Sequence, residues 1–125
     1  MKPMLALVLA ITLAPALALA DKEFEDSGTH DCGTDPVVNI VNGGGTYTLT
    51  GACTQVNVNG SDVTVTADAV DELNVNGGKN KVTVTTLGAV HINGIKNKVS
   101  WKAAKTGKKP KAAVNGKGNA IAKIK

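Results

Sequence analysis

The chain has 125 residues, with 14 Lys+Arg against 10 acids and a formal net charge of +4. That length allows a single domain after any leader is removed. With one Trp, one Tyr, one Phe and no arginine, it lacks the aromatic platforms that stack bases or sugars. It also lacks the guanidinium forks of sequence-specific nucleic-acid readout.

The chain opens with Lys2 and then runs almost wholly apolar from Leu5 to Leu19, broken only by Thr12 and Pro15. Ala18-Leu19-Ala20 closes the run with small residues, and the charged Asp21-Lys22-Glu23 follows. This order predicts a secretory signal peptide over residues 1–20, cut after Ala20. A membrane anchor is the competing reading, but the run is short for a span of about 20 residues and holds a proline. No cysteine follows the cut, so a lipid anchor is not expected. No second apolar run occurs, so the mature chain is expected to lack a transmembrane segment. The expected location is periplasmic or secreted.

Residues 21–36 form an acidic N-terminal segment. All ten acids lie between Asp21 and Glu72, and every lysine except Lys2 and Lys22 lies from Lys79 onward. A moderate net charge thus hides an acidic front and a basic back. In an oxidising compartment Cys32 and Cys53 are expected to form a disulfide, worth about 3 kcal/mol in the chain-entropy model. The alternative use of His30-Asp31-Cys32 as a metal site has no matching ligand set elsewhere.

Over residues 37–104 the chain repeats. Asn-Gly recurs at Asn42, Asn59, Asn76 and Asn93 with a step of 17, and again at Asn115 after a step of 22 that marks an insertion around Lys105 to Lys111. Two-fold alternation flanks each pair, as in Val56-Asn57-Val58 before and Val63-Thr64-Val65 after, which predicts half-buried strands. A further column stands eleven residues beyond each Asn: Cys53, Val70, Leu87 and Ala104. Three short sides per coil predict an all-β fold, a small β-solenoid of about five coils, with like side chains stacked. Antiparallel hairpins are the rival, since Asn-Gly favours them. A two-residue loop would pair Val75 with Gly78 and Leu73 with Asn80, against the apolar pattern.

In this reading Asn59, Asn76 and Asn93 take left-handed backbone angles together with the glycines. Asn80, Asn97 and Asn119 form a second ladder. Gly33 to Val41 caps the first coil with the disulfide, and Trp101 plugs the far end as a core residue. Residues 105–125 are a lysine-rich segment, either a fifth degenerate coil or a disordered tail.

These residues resemble a known family. V-N-V-N-G-S-D-V-T-V from Val56, L-N-V-N-G-G-K-N-K-V from Leu73, V-H-I-N-G-I-K-N-K-V from Val90 and the upstream L-T-G-A-C from Leu49 are similar to a bacterial family of small exported proteins. It is known only as domain of unknown function number three thousand and sixty. The resemblance spans about Val37 to Trp101 and leaves out the basic tail from Lys102. It implies export and a repeat-built β fold, and it supplies no activity and no site residues.

No catalytic, cofactor-binding or metal-binding set emerges, and a non-enzymatic envelope module is expected. Ser27, Ser61 and Ser100 have no paired base, and His91 takes the outward slot of Asn57 and Asn74. The strongest binding candidates are Lys79, Lys81, Lys96 and Lys98, which stack in two columns as a site for an anionic envelope polymer or an acidic protein. A solvated, aggregation-resistant face is the plain alternative. Two other readings are end-to-end self-association of acidic and basic ends, and ice binding by stacked Thr48, Thr66, Thr83 and Ser100, a row broken beside it by Asp68 and Lys102.

Overall fold

A computed structural model of the chain describes residues 21–24, 27–41 and 43–125. The expected leader, residues 1–20, and Asn42 of the first Asn-Gly pair lie outside the described residues. The strands, in chain order, are β1 (Asp21–Phe24), β2 (Gly28–Asp31), β3 (Val37–Ile40), β4 (Thr46–Ser61), β5 (Thr64–Gly78), β6 (Lys81–Ile95), β7 (Lys98–Ala104), β8 (Lys111–Asn115) and β9 (Ala120–Lys123). They make a β-solenoid of about four turns, close to the five coils expected from the spacing.

Among the described residues every strand pairing is parallel. Parallel neighbours need a long crossover, and here the rest of each coil supplies it. The strand order is β9-β7-β6-β5-β4-β3-β1, with β2 on β4 and β8 on β6. Between β5 and β6 the partners run from Thr64 with Lys81 to Gly78 with Ile95, all at the 17-residue step. Between β4 and β5 the step begins at 18 and returns to 17 across an irregularity between Leu49 and Ala52. Gly51, at φ 78°, sits in it.

The core is a set of columns. Ile40, Val58, Val75 and Ile92 are successive partners, and all are buried. Cys53, Val70 and Leu87 form another buried column that ends on half-buried Ala104. Alternation along each strand sends Val65 and Ala67 inward and Thr64 and Thr66 outward. Each fully buried Val, Leu or Ile contributes roughly 1.5–3 kcal/mol. That contribution demands a register in which apolar positions face one another, and parallel stacking supplies it without varying the loop length between repeats.

The left-handed positions are not the asparagines expected. Positive φ falls on Gly77, Gly94 and Gly116, and on Asp62, Lys79, Lys96 and Gly118. The reason is close approach. A Cβ on Gly94 would collide with the carbonyl oxygen of Gly77, and one on Gly77 with that of Gly60. Asn59, Asn76 and Asn93 instead keep strand register and bond through their side chains. Asn76 Nδ2 donates to Asn59 Oδ1 at 3.0 Å, and Asn115 Nδ2 to Asn93 Oδ1 at 3.0 Å.

The Gly33 to Val41 segment is also more than a cap. Its strand β3 lies in register on Val56 and Val58 of β4, and β1 pairs with β3 in turn. The upstream chain therefore continues the stack, and β2 does the same on the neighbouring side. The Cys32–Cys53 disulfide, with Cα atoms 5.0 Å apart, ties this rung to the next. At the other end β8 and β9 carry the lysine-rich segment onto β6 and β7 at a step of 22, as a further rung.

Candidate functional site

The inner asparagine ladder organises one corner of the solenoid. Asn80 and Asn97 are each 1 % exposed, so their amides must be fully bonded. Asn80 Oδ1 accepts from Val63 N at 3.0 Å, and Asn97 Oδ1 accepts from Asn80 N and Nδ2, both at 3.0 Å. Asn119 Oδ1 repeats this with Asn97 N and Nδ2. Each Nδ2 also reaches back to a backbone carbonyl: Asn80 to Gly60, Asn97 to Gly77 and Asn119 to Gly94. The ladder thereby fixes both the turn and the axial spacing of whatever flanks it.

What flanks it is lysine. Lys79 and Lys81 bracket Asn80, and Lys96 and Lys98 bracket Asn97, all four exposed. Lys81 and Lys98 are direct register partners, about 4.8 Å apart along the axis. Lys79 and Lys96 occupy equivalent turns, at φ 58° in both. Two ion pairs occur among the described residues, Lys105 with Asp71 and His91 with Glu72, and neither uses these four lysines. The structure therefore brings the four together as two adjacent columns. In the preceding coil the same positions hold Asp62 and Thr64, and in the following one Gly118 and Ala120, so the cationic edge is two coils tall.

Lysine is a costly residue at φ near 60°, where Cβ crowds the backbone by roughly 1 kcal/mol. Gly118 fills the same turn one coil later without that cost. Asp62 is a tolerable occupant there, since its short side chain suits left-handed turns.

Other sequence candidates are placed elsewhere. His91 stands outward beyond Asn57 and Asn74, with Nε2 3.7 Å from Glu72 Oε2 on an exposed face. His30 Nε2 lies 2.9 Å from the carbonyl oxygen of Asp35, and its neighbour Cys32 is in the disulfide. No group of three or more His, Cys, Asp or Glu residues suited to a metal ion occurs among the described residues. Thr29, Thr48, Thr66, Thr83 and Ser100 stack as one continuous column. The columns on either side of it change from threonine to lysine or to Asp68.

Lys105 leaves the basic set, because its Nζ lies 2.7 Å from Asp71 Oδ1. By the 17-residue step Gly88 stands between them, where a Cβ would meet the backbone of Asp71. Sequence reasoning missed this pair, whose members are 34 residues apart. The signal that could have found it was the column Asp71, Gly88, Lys105.

Residues 41–86 match the family model described as Protein of unknown function (DUF3060). That is the family the repeats resemble. The matched stretch runs from Val41, before β4, into β6, and so contains the first three Asn-Gly pairs and stops short of Lys96 and Lys98. No curated protein and no solved structure matches the chain. No helix among the described residues is long and apolar enough to cross a membrane.

Proposed function

We propose that the chain is an exported, non-enzymatic β-solenoid of the cell envelope that binds an anionic polymer along the Lys79–Lys81–Lys96–Lys98 edge. The carrying observation is that lysine occupies the left-handed position of two successive turns, against local conformational preference. The residues so placed are exposed, and among the described residues neither ion pair uses them. A merely solvating lysine gains nothing from a strained turn, whereas a fixed axial row of ammoniums matches a polymer with evenly spaced anions. Export is supported by the leader pattern and by the Cys32–Cys53 disulfide, which suits an oxidising compartment.

The test is titration of the protein against lipopolysaccharide, teichoic acid and DNA at low and moderate salt, beside a variant with all four lysines changed to Gln. Wild type should bind with an affinity that falls steeply with salt, and the variant should lose most of that slope. Equal, salt-insensitive behaviour of the two proteins ends the proposal.

A second reading rests on the strand ends. Among the described residues β1 and β9 close the strand order and each pairs on one side only. One end is acidic and the other lysine-rich, so copies would attract head to tail. Gel filtration decides it, because a monomer at every salt and protein concentration rejects this reading.

A further inference from the structure

The final coil departs from the repeat in three ways at once. Trp101 replaces Val84 and Ala67 in an inward column. The step from Ala89 to its partner Lys111 lengthens to 22. The added residues run irregularly over 105–110, with Pro110 buried. Insertions in a solenoid are where a coil gains a surface that its neighbours lack.

Together these changes leave a groove of about 480 Å³, within the size range of small-molecule sites. Trp101, Pro110 and Ile121 give it an apolar floor, and Lys109, Lys111 and Lys123 line it as well. Lys123 Nζ lies 5.7 Å from the centroid of the Trp101 ring. All three lysines are exposed, and neither ion pair among the described residues involves them. No acidic residue lines the groove, so the charged side chains on its rim are all lysines.

We infer that this groove binds an anionic amphiphile. Its apolar body lies against Trp101, Pro110 and Ile121, and its carboxylate, phosphate or sulfate head is held by the lysine rim. An apolar floor alone selects no charge, and a lysine patch alone needs no floor. The two together select a molecule that has both. The lysine edge around Asn80 and Asn97 shares no residue with this groove, so the two sites stand independently.

Trp101 is the chain's single tryptophan, so its fluorescence reports this groove directly. The purified protein is titrated with dodecanoate below its micellar concentration, and in parallel with acetate and with dodecyltrimethylammonium. Dodecanoate should shift Trp101 emission saturably, while acetate and the cationic amphiphile should leave it unchanged. A Lys109→Gln, Lys111→Gln, Lys123→Gln variant, checked for an unchanged far-ultraviolet spectrum, should bind dodecanoate about tenfold more weakly. The four-lysine edge variant should bind it as wild type does, so this inference and the proposed polymer site fail separately. An equal response to dodecyltrimethylammonium, no saturable response, or wild-type affinity in the triple variant overturns the inference. So does emission that moves with protein concentration alone, which assigns the groove to contact between copies.

Discussion

The regular coils between Thr46 and Ala104 and the final coil after it use the same ladder for different ends. In the regular coils the inward positions sit mostly on apolar counterparts, as in Val58, Val75 and Ile92, and the fold is nearly a restatement of its own repeat. In the final coil the ladder persists through Asn115 and Asn119, but the columns around it change. Val114, which follows buried Ile92, is 45 % exposed. Repetition secures the stack, and departure from it exposes surface that can be used. The two lysine turns make the same point inside the repeat: where coils differ at a strained position, the difference is at the surface.

The sharpest way to break this comparison is to cut the ladder at its buried and its exposed end. Asn97→Ala leaves buried Asn80 N without its partner, leaves Asn80 Nδ2 with only its Gly60 bond, and removes the part-buried bond to Gly77 O. It should cost about 4 kcal/mol, taking 1–3 for each orphaned group. Asn119→Ala removes equivalent bonds where solvent can replace them, and about half that loss is expected. Urea denaturation of both variants checks it, and equal losses would mean that the last coil is as buried in effect as the middle ones.

Gly94→Ala comes next. The added Cβ meets the Gly77 carbonyl at a left-handed position, and about 3 kcal/mol of destabilisation is expected. Reduction of the Cys32–Cys53 bridge, a 21-residue separation, should likewise cost about 3 kcal/mol. Its effect belongs to the upstream rung, so hydrogen exchange should rise in β2 and β3 before it rises in β6.

Smaller effects sharpen the functional side. Lys79→Gly and Lys96→Gly should each stabilise by roughly 0.5–1 kcal/mol by relieving the left-handed turn, while weakening polymer binding. A gain in stability with no loss of binding would remove the reason given for lysine at those turns. Asp71→Asn, which breaks the partly exposed pair with Lys105, should shift stability by less than about 1 kcal/mol, and less at high salt.

Much of this was legible in advance. The 17-residue Asn-Gly step fixed the register, because parallel pairing preserves spacing from coil to coil. Hence the partners of Val58, Val75 and Ile92 could be read from the sequence, as could the second asparagine column and the stacking of the four lysines. Backbone handedness at the corners could not be read so, because close approach of one glycine to the carbonyl of the preceding coil exists only once the coils are stacked. The upstream rung was hidden for a related reason: its partners lie at steps of 16, 18 and 19, so no constant period marks it.

The sequence alone thus determined period, register and the inward columns, since alternation of apolar and polar residues is local and its repetition is explicit. Only the tertiary structure decided which residues bend left-handed, how far the stack extends beyond the repeat, and where Trp101, Pro110 and the last lysines converge. Those depend on contacts between segments whose separation follows no rule written in the chain.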